Sequence, residues 1–449
     1  MALRFCELSK MTEDFLHYIW KFRLFNTAIL KTSTGEELQI LHPGTHNTNG
    51  GPDFLQAKIK IGNQIWVGNV EIHIRAGDWH RHTHTDDIHY KNVILHVVFE
   101  NDKEVYLHKP GDLPVFEMAG YMLHSQWASY QRWMSSKTWI PCQNELHRVD
   151  HLTWTAWKDS LLAERLEEKS TRILAIHQKT GSNWSETLYR LMARNFGFKV
   201  NADAMEMLAE SLPQTLLARH KSDPFQIEAL LFGQSGLLHA AKHTGYGLEL
   251  KQEYDFLSTK YGLKPMSVAS WNFFRMRPSN FPTIRIAQFA ALICGSEHLF
   301  SKLISHADVH ELKSLFRVSA HPYWQNHFRF EVQDPQLKIE VTDIKVDAQE
   351  KKKMGRLGES SLENIIINTV SPVLFAYGRL MGNETLTERA LKLTESCRAE
   401  ENAIIRKWTE MNVTCAQAGD AQSLLQLYNQ YCQAKRCLQC RIGLKLLRE

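Results

Sequence analysis

The sequence predicts an α+β protein in two parts: a mixed α/β domain over residues 1–125 and a mainly helical region over residues 135–449. Three observations carry that expectation. Apolar residues recur at helical spacing in Phe15, Leu16, Ile19, Phe22 and Phe25. Short apolar or alternating runs bounded by polar turns follow, as strands would. Past about residue 135 the apolar positions return with helical periodicity and keep it.

Thr12 stands where a hydroxyl can cap the first helix. Leu38–Leu41 reads as a strand. Phe54–Ile61 and Gln64–Arg75 read as a hairpin about Gly62-Asn63, a residue pair that accepts the positive φ of a tight turn. A histidine-rich connection leads to a strand at Asn92–Glu100 and, across Asn101-Asp102, another at Val105–His108, with the domain closing near Lys109-Pro110-Gly111. Leu113–Tyr121 either adds an edge strand or leads into the next domain. The helical part opens on a stripe of Trp154, Trp157, Leu161, Leu162, Leu166 and Ile173. Further helices are expected around Leu188, Leu191 and Met192, stopping near Gly197, and over Phe225–Phe232, Ile284–Ile293, Leu362–Leu380 and Leu386–Glu410. A β-like interruption spans Phe328–Val346, turning at Asp334-Pro335.

Composition narrows the function classes. With 43% hydrophobic and 23% charged residues the chain is neither disordered nor collagen-like. A net charge of +4 is too balanced to signal nucleic-acid binding in bulk, so such binding has to be local. No apolar run approaches the ~18–20 residues that span a bilayer. Glu7, Glu13 and Asp14 break any signal-peptide pattern, so a cytoplasmic protein is expected. In that reducing setting the eight cysteines read as buried apolar groups or metal ligands before they read as disulfides.

The most informative passage is Gly50-Gly51-Pro52-Asp53, followed after the hairpin by Gly68-Asn69-Val70-Glu71-Ile72-His73. Over about residues 11–100 it resembles the PD-(D/E)xK nuclease superfamily. There, an Asp opening one strand and an acidic-x-Lys on the next bind a divalent cation. The resemblance implies Asp53 and Glu71 as ligands of Mg²⁺ or Mn²⁺, the Ile72 carbonyl as a further ligand and Glu13 as a helix-borne helper. Hard cations prefer carboxylate oxygens, and such an ion polarises a phosphodiester and acidifies the attacking water. His73 stands where the family has Lys. A neutral imidazole can orient or deprotonate water near pH 7 but supplies no permanent charge. Lys58 or Lys60 on the preceding strand, or Lys91, could supply that charge instead. A strict two-residue turn would set Asp53 opposite Ile72 and send Asp53 and Glu71 to opposite faces. Their convergence therefore requires a longer loop or a bulge, for which Gly68 is a candidate.

Asp78 is the best nearby extra carboxylate, or else a turn residue. His80, His82 and His84 would share one face of an extended segment, a pattern suited to Zn²⁺. His82-Thr83-His84-Thr85-Asp86-Asp87 also resembles the HxHxDH motif of metallo-β-lactamase-like hydrolases, with Asp87 in place of the final His. His96, inside an apolar strand, reads as a core or site-wall residue. At the far end, Cys432, Cys437 and Cys440 form a C-x4-C-x2-C cluster that suits Zn²⁺ or an Fe–S cluster, with Cys415 as the nearest fourth ligand and Cys142 as a distant one. Packing thiols are the competing reading. Arg275, Arg277 and Arg285 flank a helix start and, with Lys58 and Lys60, are candidate phosphate contacts. Lys351, Lys352, Lys353 and Arg356 form another basic patch.

Nearly the whole chain resembles an uncharacterised bacterial family, domain of unknown function 2851. The stretches that carry this are Glu13-Asp14-Phe15-Leu16-His17, Asn49–Phe54, Gly68–His73, Phe232-Gly233-Gln234, Arg275-Met276-Arg277-Pro278 and the terminal cysteines. It implies a bacterial cytosolic protein and brings no established activity. The expected function is a metal-dependent nuclease acting on DNA or RNA. The alternatives are a non-catalytic nucleic-acid-binding scaffold with a degenerate nuclease fold, and a His-rich zinc hydrolase. The oligomeric state is left open.

Overall fold

The computed structural model describes residues 11–448 apart from 83, 85, 86, 108–111, 275, 307 and 334–354. Thr12 caps the first helix, α1 (Glu13–Phe22), its hydroxyl accepting from the Phe15 amide at 3.3 Å. The apolar stripe of α1 buries Phe15, Leu16, Ile19 and Trp20. The sheet that follows comprises β1 (Leu30–Lys31), β2 (Glu37–His42), β3 (Thr45–His46), β4 (Phe54–Ile61), β5 (Gln64–Arg75), β6 (Val93–Glu100) and β7 (Val115–Glu117). Their spatial order is β1-β2-β4-β5-β6-β7, with β3 also paired to β4.

The two-residue turn at Gly62-Asn63 joins β4 and β5 as an antiparallel hairpin, whereas β5, β6 and β7 run parallel. Parallel neighbours need a crossover. The one from β5 to β6 carries a short helix, α2 (Asp78–Arg81), and a 3₁₀ turn at Ile88–Tyr90. β6 is buried along almost its whole length, as a strand flanked on both sides should be. The strand expected at Val105–His108 is absent over its described part, Val105–Leu107. Val105 packs instead with Trp79, Leu113 and Val115, and β7 takes the place beside β6. His108 and Lys109-Pro110-Gly111 lie outside the described residues.

The chain divides into two compact units at points other than residues 125–135. One comprises the chain up to Trp157 together with the chain from Tyr428 onward; the other is Lys158–Leu427. The first unit therefore also holds α3 (His124–Ser135) and the terminal helix Arg441–Arg448, which buries Ile442, Leu446 and Leu447.

The second unit is helical, as expected. The stripe from Trp154 onward belongs to the helix His151–Lys179. Trp184–Phe196 is capped by Asn183 and ends at Gly197; Pro224–Gln234 and Pro282–Gly295 follow. The Leu362–Leu380 expectation is met by Glu359–Ile365 and Ser371–Met381, joined through a π turn at Ile366–Val370. Leu386–Glu410 is two helices, Glu384–Glu395 and Ala403–Glu410. The second restarts where the Asn402 side chain accepts from Ile404 N and Ile405 N, both at 3.0 Å. In place of the expected β segment, the described part beyond Phe328 has a single bridge, Val332 to His243; Asp334-Pro335 and the run to Val346 lie outside the described residues. Among the described residues no helix is long and apolar enough to cross a membrane.

Candidate metal centre

The candidate site lies where β4 begins and β5 passes its start. The hairpin leaves the turn in strict register, Ile61 opposite Gln64 and Lys58 opposite Val67, yet Phe54 faces Val70. One extra residue has entered β4 between Phe54 and Ala57. Gln56 sits there at φ 55°, and its amide donates to Asn69 Oδ1 at 3.3 Å. The bulge thus lies on the strand opposite Gly68. Gly68 serves another purpose: a Cβ there would overlap Ile94 and crowd the Asn92 carbonyl.

The slipped register brings Asp53 beside Glu71. The Asp53 amide donates to Glu71 Oε2 at 3.1 Å, and the Ile72 amide donates to Asp53 Oδ2 at 2.9 Å. The N–H and C=O of one strand residue share an edge, so the Ile72 carbonyl lies on the Asp53 side. From α1, His17 Nε2 reaches Asp53 Oδ2 at 3.2 Å. Glu13, one helical turn earlier, is half-buried and feels the charges of Asp53 and His17.

On the other side of Glu71 the histidines gather. His73, His82 and His84 present ring nitrogens that all lie within 4.8 Å of one another. His73 Nε2 is 3.2 Å from His82 Nδ1, and Glu71 Oε1 is 3.5 Å from His73 Nε2 and 3.4 Å from His84 Nε2. Ligands ~2.0–2.1 Å from one tetrahedral ion stand about 3.3–3.4 Å apart, so these separations suit a common metal. His84 Nε2 is buried and out of hydrogen-bond alignment with any partner, a lone pair or proton held for something else. Behind His73, its Nδ1 meets His96 Nε2 at 2.9 Å, the type of contact that fixes a ligating imidazole's ring and tautomer.

Burial explains the charge states. Glu71 is pushed up to about 9, first by desolvation and then by the Asp53 charge. His73 is driven down to about 3 by the same burial, with His84 and His82 adding to it, and His96 falls well below its ordinary value for the first of those reasons. Desolvation also raises Glu13 and lowers His84. Burial opposes charge on His17 too, but the hydrogen bond to Asp53 and the nearby carboxylates outweigh it, and its pKa is raised. Neutral imidazoles around a buried carboxylate whose charge is left uncompensated are a donor set that a cation would stabilise.

Sequence reasoning paired His80 with His82 and His84. His80 lies on α2, and its Nε2 turns to the Glu104 carbonyl at 3.2 Å. His73 takes its place. Asp78 bonds the Arg75 amide and Arg81. Asp87 caps the Ile88–Tyr90 turn, and Thr83, Thr85 and Asp86 lie outside the described residues. Sequence reasoning also missed His17, although its spacing from Glu13 on one helical face was a usable signal.

A cavity of ≈ 570 Å³ in the first unit opens beside His17 and His46. Lys21, Lys435, Arg436 and Arg441 line it with Tyr130 and Trp157. Lys435 and Arg441 bond backbone carbonyls, and Asp14 is the acidic residue that lines the cavity with them. The basic residues read from the sequence sit elsewhere. Lys58 is exposed on β4 and Lys60 half-exposed, both on the face opposite Ala57 and Ile59. Lys91 and Arg277 are exposed; Arg275 and Lys351–Lys353 lie outside the described residues. Arg285 is buried, bonded to Gln288 and Asn280 and stacked on Phe198. Cys432, Cys437 and Cys440 lie in the first unit, whereas Cys415 belongs to the second, beside Asp420 and Lys158.

No curated protein and no solved structure matches this chain. A family model does match, over residues 13–403, and its description is Protein of unknown function (DUF2851).

Proposed function

We propose, from the premise that the chain belongs to this family of proteins of unknown function, a metal-dependent hydrolase that cleaves phosphodiester bonds in DNA or RNA. The observation that carries the reading is the bulge at Gln56, which sets Asp53 and Glu71 side by side at the strand start. By resemblance this is the acidic pair of a PD-(D/E)xK nuclease. Mg²⁺ or Mn²⁺ would be held by Asp53, Glu71 and the Ile72 carbonyl, and when bound would acidify water and polarise the phosphate. His73, kept neutral by burial, would orient the attacking water through Nε2. His17, 3.2 Å from Asp53 Oδ2 and shifted toward its charged form, is the candidate for the part the family gives to Lys. The cations around the neighbouring cavity fit a phosphate backbone and its aromatics fit bases. A cytoplasmic setting accords with this substrate.

Purified protein incubated with single- and double-stranded DNA and RNA plus Mg²⁺ or Mn²⁺ tests the reading. Cleavage is expected, with Asp53→Ala and Glu71→Ala each lowering it more than ~100-fold, since even outer-shell changes cost 10–100-fold. Cutting that survives both substitutions rejects the site; binding without cutting favours the scaffold. A second reading, a zinc hydrolase, is favoured by the convergence of His73, His82 and His84. It predicts activity restored by Zn²⁺ and lost in His82→Ala, a substitution at an exposed position.

A further inference from the structure

Two distant stretches of chain bring four cysteines together in the first unit. Cys142 immediately precedes the 3₁₀ turn Gln143–Arg148, Cys437 opens the turn Cys437–Gln439, and Cys440 directly precedes the terminal helix Arg441–Arg448. That helix packs on both turns. Cys432 closes the π turn Leu427–Cys432. Cys142, Cys437 and Cys440 are buried and Cys432 half-buried. The backbone between Cys437 and the helix is drawn tight: a Cβ at Gly443 would collide with the Cys437 carbonyl oxygen. The amides of Gly443 and Ile442 donate to the Cys440 sulfur.

The thiols also act on one another. Cys440, Cys142 and Cys437 all lie near enough to Cys432 to act on it electrostatically. Cys142 likewise has Cys440 and Cys437 for neighbours. Neighbouring thiols, three of them buried, are costly as thiolates unless a cationic centre collects them.

We propose that Cys142, Cys432, Cys437 and Cys440 hold an iron–sulfur cluster, which ties the C-terminal segment into the sheet-bearing unit. Four thiolates are the usual complement of such a cluster. A single tetrahedral zinc would draw its sulfurs to ~3.8 Å of one another, given Zn–S bonds of ~2.3 Å. Among the described residues the convergent group within 4.8 Å is the His73, His82 and His84 triangle, so the sulfurs stand wider than zinc requires. A polynuclear cluster spreads its thiolates over a larger cage. Cys142, remote in sequence, is the fourth partner; Cys415 is not.

The test begins with the full-length protein purified without oxygen. Iron and acid-labile sulfide are expected in near-equal amounts, with a broad visible absorption that dithionite bleaches. Cys142→Ser and Cys437→Ser should each lower bound iron at least tenfold, while Cys415→Ser and Cys294→Ser leave it unchanged. Should the first two variants not fold, the parent's own iron and sulfide content decides the matter. So does removal of iron by a chelator, followed by restoration of the absorption with ferrous iron and sulfide. A parent chain carrying zinc without sulfide, or no metal, overturns the proposal.

Discussion

Glu71 and His73 stand two residues apart on one strand, and desolvation moves them in opposite directions because it penalises whichever form is charged. The same cause dominates at Glu228 in the second unit, which is pushed up to about 7 by burial. Trp324 Nε1 and Tyr246 OH both donate to its Oε2 at 2.9 Å, which only partly offsets that burial. The folded pKa lies above the ordinary 4.5, so its stabilising contribution is complete below about 4.5 and drains away as the pH rises through about 7. The loss is on the order of 3 kcal/mol. Glu228→Gln removes the titration. Thermal melts of parent and variant should therefore diverge between pH 5 and pH 8, the parent losing the more. Parallel curves would show that Glu228 ionises normally. Lys169, pushed down to about 7 by burial, titrates in the same range but is common to both chains and cancels.

At the scale of the element, the bulge in β4 decides which residues share a face. Deleting Gln56 should restore strict register and turn Asp53 away from Glu71. Far-UV circular dichroism would then be preserved while Mn²⁺ affinity, read by calorimetry, falls more than tenfold. Gln56→Gly keeps the bulge and relieves a left-handed residue, so it should leave Mn²⁺ binding intact and raise stability by about 1 kcal/mol. Loss of binding in both variants would show that register is not the cause. The hairpin and its two acids were legible because Gly62-Asn63 and period-two alternation are local signals. The bulge was not, since glutamine at positive φ has no sequence signature and Gly68 was the more natural suspect. The histidines were half legible. Alternation in an extended segment would have aligned His80 with His82 and His84, but the crossover coils into α2, turns His80 aside and lets His73 from β5 close the triangle. The helices that the sequence names in the second unit were legible because their periodicity is long, although a π turn at Ile366–Val370 and a cap at Asn402 interrupt two of them; Ala202–Ser211 and Gly245–Tyr261 were not read.

For the whole molecule, the unit that carries the candidate centre is made from two ends of the chain, so its stability depends on residues nearly three hundred positions away in sequence, on the order of the whole second unit's length. The terminal helix buries Ile442, Leu446 and Leu447, and Lys435 and Arg441 bond carbonyls of the segment between Met134 and Ala156. At roughly 1.5–3 kcal/mol for each fully buried aliphatic side chain, those three alone approach the net stability of a typical domain, even as an upper bound. A chain ending at Leu427 should therefore lose hydrogen-exchange protection in β5 and β6, although neither strand is touched by the deletion. The helices of Lys158–Leu427, whose core is their own, should keep theirs. A deletion of the opposite kind, through the helix Pro224–Gln234 and its packing partners, should reverse the pattern. If β5 and β6 stay protected in the shortened chain, the C-terminal segment is an appendage and the unit closes without it; if both units lose protection together, the chain folds as one cooperative body and the division at Trp157 has no thermodynamic meaning.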